Sequence, residues 1–186
     1  MKSLQDWLVV AVLCLTTVAF AQSAALPVVQ SDAQKSFDKI KSLAGSWEGE
    51  AKMDPPMDGA SNAAVHVSMR ITSRGNALVH EMQAAGTPED ATKYDHPVTM
   101  FYLDNDRLTL THYCDAGNRP RMAARSSADG KTVEFDFLDV AGNLEYGHMQ
   151  HAVFTVIDAN HHTEEWTFLM PGDKLMHARM DLQRTK

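Results

Sequence analysis

From residue 46 onward, apolar and polar side chains alternate with period two, and turn residues interrupt the alternation roughly every 8–15 positions. The clearest segment is 65–72. Val65, Val67, Met69 and Ile71 take one face, and His66, Ser68, Arg70 and Thr72 take the other. Such a strand has one dry face and one wet face. The same reading predicts strands over 46–53, 77–83, 97–103, 107–114, 121–126, 132–138, 148–157, 161–170 and 174–184. Short turns separate most of them, among them Arg74-Gly75-Asn76, Asp104-Asn105-Asp106 and Pro171-Gly172-Asp173. Asp54-Pro55-Pro56 and the stretch from Asp115 to Pro120 read as longer loops. Ahead of the strands, Ser31 or Asp32 caps a short helix. Its apolar positions are Ala33, Phe37, Ile40 and Leu43, and Gly45 stops it.

Ten strands joined by hairpins form a meander, and closing a meander removes its two exposed edges. The predicted fold is therefore all-β: a ten-stranded, up-and-down antiparallel β-barrel with a short N-terminal helix. A two-sheet sandwich is the alternative. Ten strands make a wider barrel than eight, so an internal cavity is expected.

The N-terminus follows a different pattern. Lys2 precedes an uncharged apolar run over 7–20, which is short for a membrane span, and Ala19-Phe20-Ala21 supplies an A-x-A cleavage signal. The expected organisation is a signal peptide at 1–21, a leader at 22–31 and one barrel domain at 32–186. The location is then periplasmic or secreted, with no membrane span in the mature protein. Cys14 would leave with the signal peptide, so Cys114 would remain without a partner for an internal disulfide. A net charge of −7 without a basic block argues against nucleic acid as a partner.

Leu43-Ala44-Gly45-Ser46-Trp47-Glu48-Gly49 resembles the opening of calycin barrels, in which a G-x-W follows a short helix. The G-x-W-x-G form is similar to the nitrobindin branch, the haem-binding ten-stranded barrels. It also looks like exported relatives that share stretches such as Leu110-Thr111-His112-Tyr113-Cys114 and Pro120-Arg121-Met122. The resemblance implies a calycin-like (lipocalin- or nitrobindin-type) fold and, through a histidine in the last strand, haem as a possible cofactor with His177 as its axial ligand. Strand alternation points the other way, because His177 shares its face with Arg179, Asp181 and Gln183.

Alternation offers a second set of residues. Leu108, Leu110, His112 and Cys114 share one face of their strand, and His80 lies with Leu78 and Met82. The candidate ligand-binding residues are His80, Met100, His112 and Cys114. His112 and Cys114, two apart, are also the candidate metal ligands, since imidazole and thiolate suit soft metals. Zinc-type spacings, a G-x-S-x-G elbow and phosphate-binding glycine loops are missing from the sequence. The function expected is an exported barrel that binds a small hydrophobic or planar molecule. A metal- or haem-assisted enzyme using His112, or an envelope interaction protein with a filled barrel, are the alternatives.

Overall fold

The computed structural model describes residues 30–57, 60–126 and 130–185. The proposed signal peptide and most of the leader lie outside the described residues. One helix, α1 (Asp32–Lys41), precedes ten strands: β1 (Gly45–Met57), β2 (Ala60–Thr72), β3 (Ala77–Ala84), β4 (Val98–Asp104), β5 (Arg107–Tyr113), β6 (Asn118–Ser126), β7 (Thr132–Gly142), β8 (His148–Asp158), β9 (His161–Met170) and β10 (Lys174–Arg184). Each strand pairs antiparallel with its sequence neighbour, and β1 pairs with β10, which closes the barrel. Closure satisfies every strand edge, the outcome that the meander pattern demanded.

Several boundaries differ from the sequence reading. β1 continues through Asp54-Pro55-Pro56 to Met57, past a register shift after Lys52. β6 starts at Asn118, inside the expected loop, and β7 runs on to Gly142. Asn118 and Pro120 of β6 are buried, and their turn-type residues conceal the strand, whereas the added residues Asp54, Pro55 and Pro56 of β1 are exposed and lie beyond the buried part of the barrel. Outside that part no alternation is needed, so the period-two signal fades before the hydrogen-bond ladder does. Ile71 is exposed for the same reason: it keeps the inner parity but lies past the barrel's end.

The helix forms where the capping residues place it. Ser31 Oγ accepts the Gln34 backbone N–H, Asp32 lies in the first turn, and Lys39 and Lys41 lie in the last. Phe37, Ile40 and Leu43 drop into one end of the barrel beside Trp47. Each such buried side chain contributes about 1.5–3 kcal/mol through lost water contact.

The G-x-W-x-G segment closes this end. Trp47 Nε1 donates to the Leu43 carbonyl at 2.8 Å. The Arg184 guanidinium, from the end of β10, covers the Trp47 ring at 4.1 Å and donates to the carbonyls of Ala44, Ser42 and Ala159. Gly45 holds φ at +144°, and a Cβ there would meet Arg184 Nη1 at 2.2 Å. At Gly49 a Cβ would sit 1.8 Å from the Asp181 carbonyl oxygen, so β1 and β10 approach this closely only because the residue is glycine.

Candidate functional site

Three side chains of β9, His162, Glu164 and Trp166, alternate toward the interior, while Glu165 is exposed between them. On the other side of the lumen, the register aligns His80 of β3 with Thr99 of β4, and Thr99 with His112 of β5. All three face inward and are buried. The two sets meet across the barrel. His80 Nε2 lies 3.0 Å from Glu164 Oε2 and 3.2 Å from Oε1. His162 Nε2 lies 3.0 Å from Oε1, and Trp166 Nε1 donates to Oε2 at 3.0 Å. One carboxylate thus gathers two imidazoles and an indole.

Burial opposes ionisation of Glu164, but His80 and His162 outweigh it and hold the carboxyl well below the usual carboxylate range. His112 behaves oppositely. Burial, with His80 nearby, pushes it down to about 3, so its ring is neutral at ordinary pH. Its Nδ1 is 2.8 Å from Thr99 Oγ1. The second nitrogen of each buried imidazole, Nδ1 of His80, Nδ1 of His162 and Nε2 of His112, has no hydrogen-bond partner.

Aromatic rings fill the surroundings. Phe154 lies edge-on to Phe101, Phe135 and Trp166 at 5.3–5.9 Å, and the rings of His80 and His112 lie 5.8 and 5.4 Å from Trp166. At this level the interior is packed ring against ring, where strand number alone suggested open space. Toward the end opposite α1, the inner wall consists of side chains that are only partly buried: Met53, Met82, Met149 and Ala178.

The residues singled out from sequence fall into two groups. His80 and His112 come together in this interior site. Met100 does not join them, because Thr99 and Phe101 take the inner parity of β4 and leave Met100 half-buried on the other face. Cys114 lies one residue beyond the end of β5 and faces a rim groove formed by residues 91–96 with Tyr113 and Asp115. Burial pushes its thiol up, which leaves it a weak metal ligand. His112 is absent from the lining of that groove. His177 is exposed on the outer wall, with Nδ1 3.1 Å from Thr167 Oγ1. A haem inside the barrel does not fit an axial ligand at that position.

His162 is the main residue that sequence reasoning missed; Glu164 could be read as facing the interior opposite a solvated Glu165, but it was not among the candidate site residues. The signal available was their shared parity with Trp166 on β9. Among the described residues, one group of three possible metal ligands lies within 4.8 Å of one another: Glu134, Asp136 and His151. Arg125 already forms ion pairs with both of these carboxylates, which occupies them without a metal.

Neither a family model nor a curated protein sequence matches this chain. Solved structures do resemble it. Rv2717c from M. tuberculosis superposes with a TM-score of 0.59 at 12% identity, covering 81% of this chain and 97% of that one. A protein of unknown function from the DUF3598 family of Nostoc punctiforme gives 0.42 at 10% identity, covering 78% of this chain and 48% of that chain. A redesigned β-barrel gives 0.36 at 8%, covering 84% and 100%. The first likeness establishes the fold: a closed antiparallel β-barrel. None of the described helices is long and apolar enough to cross a membrane.

Proposed function

We propose that the protein is an exported, calycin-type barrel that binds a small hydrophobic or planar molecule at the end opposite α1. The observation that carries this reading is the distribution of exposed apolar side chains. Tyr94, Leu144, Tyr146 and Met170 stand at that end, with Tyr113 and Leu175 beside them on the outward parity of their strands, and Phe137 stacks on His148 at 4.7 Å. Only Ile71 and Ile157 are comparable at the helix end, among the described residues. An apolar rim above the partly buried wall of Met53, Met82, Met149 and Ala178 is what an apolar guest needs for entry. The helix end is plugged by Phe37, Ile40 and Leu43, so it offers no second entrance.

The A-x-A signal supports export, with cleavage after Ala21. N-terminal sequencing of envelope material should return Gln22, and a chain still beginning at Met1 would remove that part of the proposal. For the ligand, native protein is extracted with organic solvent and the extract analysed by mass spectrometry. The emptied protein is then titrated with planar apolar molecules while Trp166 fluorescence is followed. Saturable quenching that is abolished by Met82→Trp, which fills the entrance, is the expected result. If nothing co-purifies and no saturable change occurs, the barrel is a filled scaffold.

A further inference from the structure

The rim groove beside Cys114 has a volume of about 490 Å³ and lies outside the lumen. His112 of β5 is buried in the interior, so the next residue, Tyr113, turns outward and contributes one wall. The other wall is the loop between β3 and β4, residues 91–96, which carries Tyr94. Both tyrosines are exposed, Tyr94 at 40% and Tyr113 at 46%. The same lining holds two carboxylates, Asp95 and Asp115. They come from segments far apart in the chain and are drawn together, with Asp95 Oδ1 accepting the Asp115 backbone N–H at 3.2 Å.

No protein cation separates this pair. Among the described residues, neither Asp95 nor Asp115 forms an ion pair. Lys93 also lines the groove, but its Nζ is engaged with Asp90 Oδ2 at 3.2 Å. Burial and the adjacent Asp115 charge raise the Asp95 carboxyl, and His96 offsets this only weakly. Burial, and then the charges of Asp95 and Asp115, push the Cys114 thiol up. The groove therefore carries a surplus of negative charge. His96 lines it as well, and its Nε2 is buried without a hydrogen-bond partner. A cleft in which carboxylates crowd one another and a polar atom is unanswered has the character of a binding site.

Two kinds of cation could answer the charge. A bare divalent metal is the poorer match. Asp95, His96, Cys114 and Asp115 are all possible ligands, yet no three of them bring ligand atoms within 4.8 Å of one another, as Glu134, Asp136 and His151 do. An organic ammonium spreads its charge over a wide head and needs no tight coordination shell. Its apolar surface is attracted to aromatic faces, which the two tyrosines supply.

We propose that this groove binds an organic ammonium ion, with its charge against Asp95 and Asp115 and its apolar body against Tyr94 and Tyr113. The site is on the outer wall and does not depend on an interior ligand, so either reading can fail alone.

The test uses purified full-length protein, isotopically labelled for nuclear magnetic resonance, and two probes of one shape. Choline carries the charge, and 3,3-dimethylbutan-1-ol has carbon in place of the charged nitrogen. Backbone amide signals of residues 92–95 and 113–115 are followed in each titration. Choline should saturate them, and the neutral probe should bind roughly tenfold more weakly or not at all. Asp95→Asn and Tyr113→Ala should each weaken choline binding by a similar factor, with folding confirmed by circular dichroism. The comparison of probes in the parent protein needs no variant, so a misfolded variant cannot decide the matter. Equal binding of the two probes would overturn the charge assignment. Saturation by calcium or zinc chloride at lower concentration than by choline would overturn it in favour of a metal ion. Choline shifts that never saturate, or that fall on other residues, would also overturn it.

Discussion

His80 Nε2 on β3 reaches Glu164 Oε2 on β9 at 3.0 Å, a bond that spans the lumen between strands that are not neighbours in the sheet. The pair is fully buried and ties opposite walls together. Removing the carboxylate leaves three N–H donors, from His80, His162 and Trp166, without their acceptor. Glu164→Leu should therefore cost about 3–5 kcal/mol, the range for breaking a buried polar pair from one side. Urea denaturation measures it, with exposed Glu165→Gln as the control at about 0.5 kcal/mol or less. Similar losses for the two substitutions would show that the network contributes nothing special.

Stability should fall in mild acid. The folded state holds His112 at about 3 against an unfolded value of about 6.5, so between those limits the unfolded chain binds more protons. The contribution is complete above pH 6.5 and is lost as pH falls toward 3, at about 1.4 kcal/mol per unit at most. Glu164, whose carboxyl is also depressed in the fold, acts in the same direction once pH drops below the ordinary carboxylate range. Denaturant midpoints measured from pH 7.5 to 4 should decline, and His112→Gln should flatten the upper part of that decline. A flat parent profile over pH 6.5–4.5 would contradict the neutral, buried His112.

The two histidines that sequence reasoning set against each other separate cleanly by position. His112→Ala removes a buried ring that contacts Trp166 and Thr99 and should weaken ligand binding. His177→Ala removes an exposed ring on the outer wall and should change stability by about 0.5 kcal/mol or less, leaving binding intact. A loss of ligand confined to His177→Ala would require the last strand to turn its other face inward.

Gly49→Ala should be disproportionately harmful for a one-carbon change. The added methyl would meet the Asp181 carbonyl at 1.8 Å, a backbone atom that cannot swing aside, so β1 and β10 must separate. A cost of about 1–3 kcal/mol follows from overpacking of this kind. Thermal denaturation should show it, whereas Gly86→Ala, in a rim loop with open space around it, should lose little beyond the strain of its φ of +79°.

Much of the barrel was legible because burial on one face imposes alternation. That rule gave Val65, Val67 and Met69 their inward direction and placed His177 outside. It was silent on Met100, because both faces of the 97–103 segment carry apolar or small residues and no polar face marks the outside. Cys114 shares the parity of His112, but β5 ends at Tyr113 and the backbone turns away. The Glu164 network was hidden for another reason. Parity tells which wall faces in, whereas height along the lumen depends on the stagger of ten strands, and residues 80 and 164 meet only after all of them are in register.

Arg184 lies at the end of the last strand, yet it covers Trp47 at the start of the first. This arrangement orders events during synthesis. A chain delivered only as far as β9 is a sheet with two open edges, and its opening tryptophan lacks its guanidinium cover. Contacts between the earliest and the latest residues also make closure slow relative to local pairing. The latch therefore ties closure of the barrel to the arrival of its last strand.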